Sequence, residues 1–264
     1  MNQFFSFKRW GLLTLRHWAA HRKFFMYGCL SLLGAMAIAA GFWLQTNTYY
    51  MESDLYIIFT FGIFIAGAIF SSLSFKMLHH KEQGIAYLSL PASRFEKLLT
   101  AVFYHIILFT VVYILCFALI RAATLSIIET RLHNGLGNYR FSSIADRPVF
   151  DHGLDEFLIY FYFSVQTLFM AGSIYFKRFQ FLLTLIVGVL IAIFGIYYLQ
   201  ELGHAFMPNG YYWNINGASI YMDGDMQRFG IQGVLGFVIN WLARVGWIIG
   251  FLWVSWFRLA EKQI

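Results

Sequence analysis

Residues 79–97 read HHKEQGIAYLSLPASRFEK, a polar and basic insert between two long apolar runs. Leu55–Phe75 precedes it and Leu98–Ile120 comes after it, and neither run holds an Asp, Glu, Lys or Arg. Each is about the 20 apolar residues that one helix needs to cross a bilayer core. The insert therefore reads as a connection at one membrane face. What the chain does depends on which face that is and on what docks there.

Four further runs of spanning length lie outward from this pair: Phe24–Leu44, Phe157–Phe176, Phe179–Leu199 and Val234–Phe257. The composition agrees, at 59% hydrophobic, 20% aromatic and 12% charged, against about 25% charged in a soluble domain. The fold class expected is an all-α polytopic membrane protein with six transmembrane helices and both ends on one side. Lys177 and Arg178 are nearly all that separates the fourth and fifth runs, so these form a tight helical hairpin. Residues 1–23 interleave basic and aromatic side chains. As a helix they set Arg9, Arg16 and Lys23 against Phe4, Phe7, Gly11 and Trp18, the pattern of an amphipathic helix lying on an anionic lipid surface. The first long run starts after five basic residues and is too long for a signal-peptide core, so it is expected as a retained span. Cys29 and Cys116 both fall inside apolar runs, as core residues rather than a disulfide framework.

The formal net charge of +6 carries information through its distribution. With the N-terminus inside, the inner segments hold Lys8, Arg9, Arg16, Arg22, Lys23, Lys76, Lys81, Arg94, Lys97, Lys177, Arg178, Arg258 and Lys262. The outer segments hold only Arg121, Arg131, Arg140, Arg147 and Arg228. Basic residues favour the cytoplasmic side, so both termini, the segment 76–97 and the tail 258–264 are expected there. The charge is a topology signal, and the partner it implies is membrane lipid rather than nucleic acid. Segments 121–156 and 200–233 are then external. The first turns at Gly135, Gly137 and Asp146-Arg147-Pro148, after an extension of the third span toward His133. The second is dense in Gly, Asn, Tyr and Trp, the composition of an interfacial belt.

Within the insert, Gly84 turns the chain, Ile85-Ala86-Tyr87-Leu88 forms a short apolar run, and Pro91 stops one helix or starts another. Ser89 or Ser93 caps the next helix, and Glu96 stands three residues after Ser93, the spacing of a capping box. A short helix, a break and then the third span is the simplest geometry. Such a helix suits a groove on a partner protein; an ordinary connecting loop is the plain alternative.

Lys81-Glu82-Gln83-Gly84 followed by Tyr87-Leu88-Ser89-Leu90-Pro91-Ala92-Ser93-Arg94 resembles the pattern in membrane subunits of type-2 ABC exporters. There a Glu and Gly precede a Leu, a Ser or Thr, a Pro and then Ser-Arg. The layout is similar too: an amphipathic N-terminal helix, six spans, both ends inside and an external element between the last two spans. The resemblance implies that 76–97 holds a cytoplasmic coupling helix seated in a cleft of a separate ATPase subunit. Glu82, Gln83, Gly84, Tyr87, Leu88, Leu90, Pro91, Ser93 and Arg94 are the candidate coupling residues. It further implies a permease pair, ATP and Mg bound by the partner rather than by this chain, and residence in a bacterial cytoplasmic membrane. The chain departs from the family in its longer segment between the third and fourth spans, and in Ile85-Ala86 where Thr-Leu is usual. No Gly is followed by Lys, so the chain lacks the Gly-Lys-Ser/Thr phosphate cradle and is not expected to be an ATPase. Substrates that suit a lipid-open dimer include lipids, peptides and drug-like amphiphiles.

Inside the membrane, Arg244 stands near the middle of the last run, where a charge costs at least about 2.5–3.5 kcal/mol. Either it faces a cavity or dimer seam, or it snorkels to the interface. His105, Gln166 and Asn240 are expected as hydrogen-bonded packing residues, with His105 the second candidate for an intramembrane role. His79-His80 with Glu82 makes a poor metal site, because adjacent side chains diverge on a helix. An ion-coupled carrier is the rival reading, but the runs lack its charged relays and paired broken helices. A non-transporting assembly or immunity protein is the other. An intramembrane enzyme would need a nucleophile and base at common depth.

Overall fold

The structure is a computed structural model that describes residues 5–46, 49–50, 52–135, 138–139, 154–206, 211–214, 217–222, 225–229 and 234–262. Six helices are long and apolar enough to cross a membrane: Phe7–Thr46, Asp54–His79, Arg94–His133, Phe157–Tyr175, Gln180–Tyr198 and Trp241–Glu261. The chain is an integral membrane protein by this measure. Its helices expose large apolar side chains along their length, such as Leu182, Leu185, Ile193 and Phe194 in the fifth. A surface of that extent is stable against lipid and not against water.

Helix α1 (Phe7–Thr46) is unbroken over 40 residues. At about 1.5 Å rise per residue it outreaches a bilayer core of about 30 Å. The interfacial helix expected over 1–23 and the span expected from Phe24 are thus one rod. No Pro or cap divides them, and residues 21–26 all take helical geometry. The start of α1 also docks on protein: Leu13 is buried, and the Tyr104 hydroxyl donates to the Thr14 carbonyl at 2.9 Å.

Helix α2 (Glu52–Ser72) is followed by a 3-10 turn (Lys76–His79) and the short α3 (Lys81–Leu88). Helix α4 (Arg94–Val102) passes through a π-helical stretch (Phe103–Leu108) into α5 (Phe109–His133). Helices α6 (Leu154–Tyr175) and α7 (Gln180–Phe206) form a hairpin bent at Phe179, which adopts φ 52. Helix α8 (Val234–Glu261) closes the bundle. α6 is central, touching α2, α7 and α8, while α1 lies on α4 and α5.

Core clusters stack along the bundle. Phe75, Leu98, Ile106, Met170, Ile174 and Leu259 pack at one end, Ile63, Tyr113 and Tyr162 in the middle, and Trp43, Leu44, Leu55 and Ile128 at the other end. Short strand pairings lie in the segments between spans. β1 (Tyr49–Tyr50) pairs in parallel with β2 (Asn138–Tyr139), which brings the exits of α1 and α5 to one end. β3 (Tyr211–Asn214), β4 (Gly217–Met222) and β5 (Asp225–Phe229) make an antiparallel meander between α7 and α8. Most of the segment 121–156 beyond His133 lies outside the described residues.

Candidate functional site

The insert folds as a short lever clamped at both ends. His80 adopts an extended backbone, and its carbonyl accepts from Gly84 N–H at 2.7 Å to open α3. A Cβ on Gly84 would stand 3.2 Å from the Leu78 carbonyl oxygen, so the glycine lets α3 lie tightly on the preceding turn. Ser89 closes α3, its N–H bonding the Ile85 carbonyl at 2.9 Å. Pro91, with no N–H to give, sits in the turn before α4. Ser93 caps α4: its hydroxyl accepts from Glu96 N–H at 3.1 Å and Glu96 Oε2 accepts from Ser93 N–H at 2.8 Å. The capping box is complete.

Two buried charges hold this turn to the bundle. Glu96 has no solvent exposure; its Oε1 accepts from Ser6 N–H at 2.8 Å and meets Arg9 Nη2 at 3.1 Å, tying the start of α1 to the start of α4. Lys97 is equally enclosed, donating to the Leu88 carbonyl at 2.9 Å with its ammonium 5.6 Å from the Tyr87 ring centroid. Burial pushes the Tyr87 phenol up from its ordinary pKa. On the other side of α3, His79 Nε2–H donates to the Ser173 carbonyl of α6 at 2.7 Å. Lys262 donates to the Ile174 carbonyl at 2.8 Å, which brings the end of α8 to the same place. The Lys262 ammonium also suits the C-terminal end of the α6 dipole. α3 thus bonds directly to α4 through Leu88 and Lys97, while Glu96 joins α4 to α1 and His79 joins the preceding 3-10 turn to α6.

The candidate coupling residues divide between the two faces of this lever. Glu82, Gln83 and Pro91 are exposed; Tyr87, Leu88, Leu90, Ser93 and Arg94 are half-buried; Gly84 is buried. Leu88 packs against the cluster of Phe75 and Leu98, and Gly84 lies close on the turn beneath, so both hold the helix in place. Five of the nine lie in α3 and four in the turn and the start of α4 that follow it. Ile85 joins the outer face, 62% exposed and apolar. Its sequence signal was the single large apolar side chain left over once Leu88 is assigned inward. Arg9 and Lys97 were not legible as clamps, because their partners are set by tertiary packing.

Arg244 lies within α8, half-buried, with its guanidinium carbon 5.8 Å from the Tyr160 ring centroid of α6. The contact is a cation–π one. His105 lies in the π-helical stretch, buried, with Nδ1–H donating to the Phe70 carbonyl at 3.1 Å. Gln166, fully buried, accepts from the Ser71 hydroxyl. The Asn240 side chain lies outside those described. Neither Arg244 nor His105 belongs to the lever, although His105 borders a cavity behind it. No protein-family model, curated protein or solved structure matches the chain.

Proposed function

We propose that this chain is the permease subunit of an ABC exporter, with α3 as the coupling helix that meets a separate ATPase. One observation carries the reading: a short helix between the second and third spans exposes Glu82 and Ile85, while its inner side packs Leu88 on the core and gives the Leu88 carbonyl to Lys97 of α4. The motif around Gly84 and Pro91 supports the same assignment. In this reading two copies assemble with two ATPases in a bacterial cytoplasmic membrane, both termini lie inside, and ATP with Mg is bound and hydrolysed only in the partner. Closure of the ATPase pair pushes α3, and the clamps at Glu96, Lys97 and His79 pass the displacement to the spans. The cargo is an amphiphile reached from the cytoplasm or inner leaflet.

The test is co-purification from native membranes in mild detergent. An ATPase subunit is expected to accompany the chain, and Ile85→Asp is expected to release it without changing the permease's thermal midpoint. Absence of an ATPase from the unaltered chain would return 76–97 to the status of a connecting loop.

A further inference from the structure

Behind α3, two adjoining cavities of about 240 and 210 Å³ open between α1 and the 3-10 turn with α3. They share His17, His21, Met77 and Gln83. Ala20, one of the smallest side chains available, borders the first and leaves the gap between α1 and α3 unfilled. Arg16 lines the first cavity, Lys76 and His80 the second, and no Asp or Glu lines either. Phe24, Phe25 and Leu73 form the wall of the second cavity. That wall stands where the apolar run of α1 begins and that of α2 ends.

Two fixed cations, Arg16 and Lys76, at the ends of two spans and without carboxylates beside them, favour an anion. An apolar wall continuing into the membrane favours one that carries acyl chains. We propose that this basic pocket binds the headgroup phosphate of an anionic phospholipid. The phosphate lies among Arg16, Lys76 and His80, and the glycerol and first methylenes pass Phe24 toward the lipid-exposed flank of α1. Each cavity is of headgroup size and open to its surroundings. The ligand therefore remains a membrane lipid with its chains outside, and its bound headgroup bridges α1 and the root of α3. Basic pockets between spanning helices are the usual sites for such headgroups. The inference does not depend on the ATPase.

The whole chain, purified in mild detergent and stripped of lipid, is titrated with dioleoylphosphatidylglycerol or dioleoylphosphatidylcholine, and retained lipid is counted by native mass spectrometry. Phosphatidylglycerol is expected to be retained at least about tenfold more strongly, and the double variant R16Q/K76Q to lose about thirtyfold of that retention. The control K8Q/R22Q removes two exposed α1 charges that line neither cavity and is expected to retain the lipid. Equal retention of the two lipids by the unaltered chain overturns the proposal without any variant. So does an equal loss in the control, which would make the effect one of general surface charge. Displacement of the lipid by millimolar inorganic phosphate would assign the pocket to a soluble phosphate and overturn it too.

Discussion

Glu96 shows how a single carboxylate comes to be enclosed at the root of a spanning helix. Stripped of water, an unpaired charge costs several kcal/mol, and here two backbone N–H groups and Arg9 replace that water. The same side chain completes a helix cap and joins it to the chain's first helix. Glu96→Ala removes the cap's return bond, the ion pair and the Ser6 contact together, and leaves Arg9 without its carboxylate. The expected loss is about 2–4 kcal/mol, read as a lowered thermal midpoint in detergent. Glu96→Gln keeps one acceptor and should fall between the two. A Glu96→Ala protein as stable as the parent would mean that the start of α1 does not dock on α4. Half of this arrangement is legible in the sequence: Ser93 and Glu96 are three apart, and a local rule pairs them. The other half is not, because Ser6 and Glu96 stand 90 positions apart and only the packed helices bring them together.

At the scale of the element, α3 is eight residues long, too short to be stable alone. Its geometry comes from what it rests on. Gly84 supplies the closest approach, and Gly84→Val would push two methyl groups against the Leu78 carbonyl. Backbone cannot yield as a flexible side chain can, so α3 must lift from the turn beneath it at a cost of about 1–3 kcal/mol. The expected signature is local: faster hydrogen exchange at 84–89, with α6 and α8 unchanged. Unaltered exchange there would show that the close approach is not needed. The sequence located this helix through Gly84, Leu88 and Pro91, residues that shape and anchor it. It did not separate the anchoring face from the presented one, because eight residues contain little more than two turns and every position has a plausible partner. The same limit explains α1. An apolar run has a readable start at Phe24, but no residue at 21–26 stops a helix, so the rod continues past the point where its composition changes.

At the scale of the whole molecule, the six-span count was legible because lipid imposes a length and a composition that any reading of the chain can measure. Helix adjacency was not, since apolar faces are chemically alike and lipid does not rank them. The packing of α1 on α5 is one such neighbour relation, and the chain carries its own probe of it. Cys29 of α1 and Cys116 of α5 are both free, with sulfurs 3.9 Å apart. A disulfide needs about 2.05 Å between sulfurs, a gap that small side-chain and helix movements cover. Oxidation of the unaltered protein in membranes with copper phenanthroline is therefore expected to join α1 to α5 within one chain. The product would migrate faster on a non-reducing gel and weigh two hydrogens less, and Cys29→Ser would abolish it. Two thiols that stay free, or a cross-link only between separate chains, would place α1 elsewhere. α1 carries Arg9 and one wall of the basic pocket, so the clamp on α4 and the lipid site both require the packing this cross-link reports.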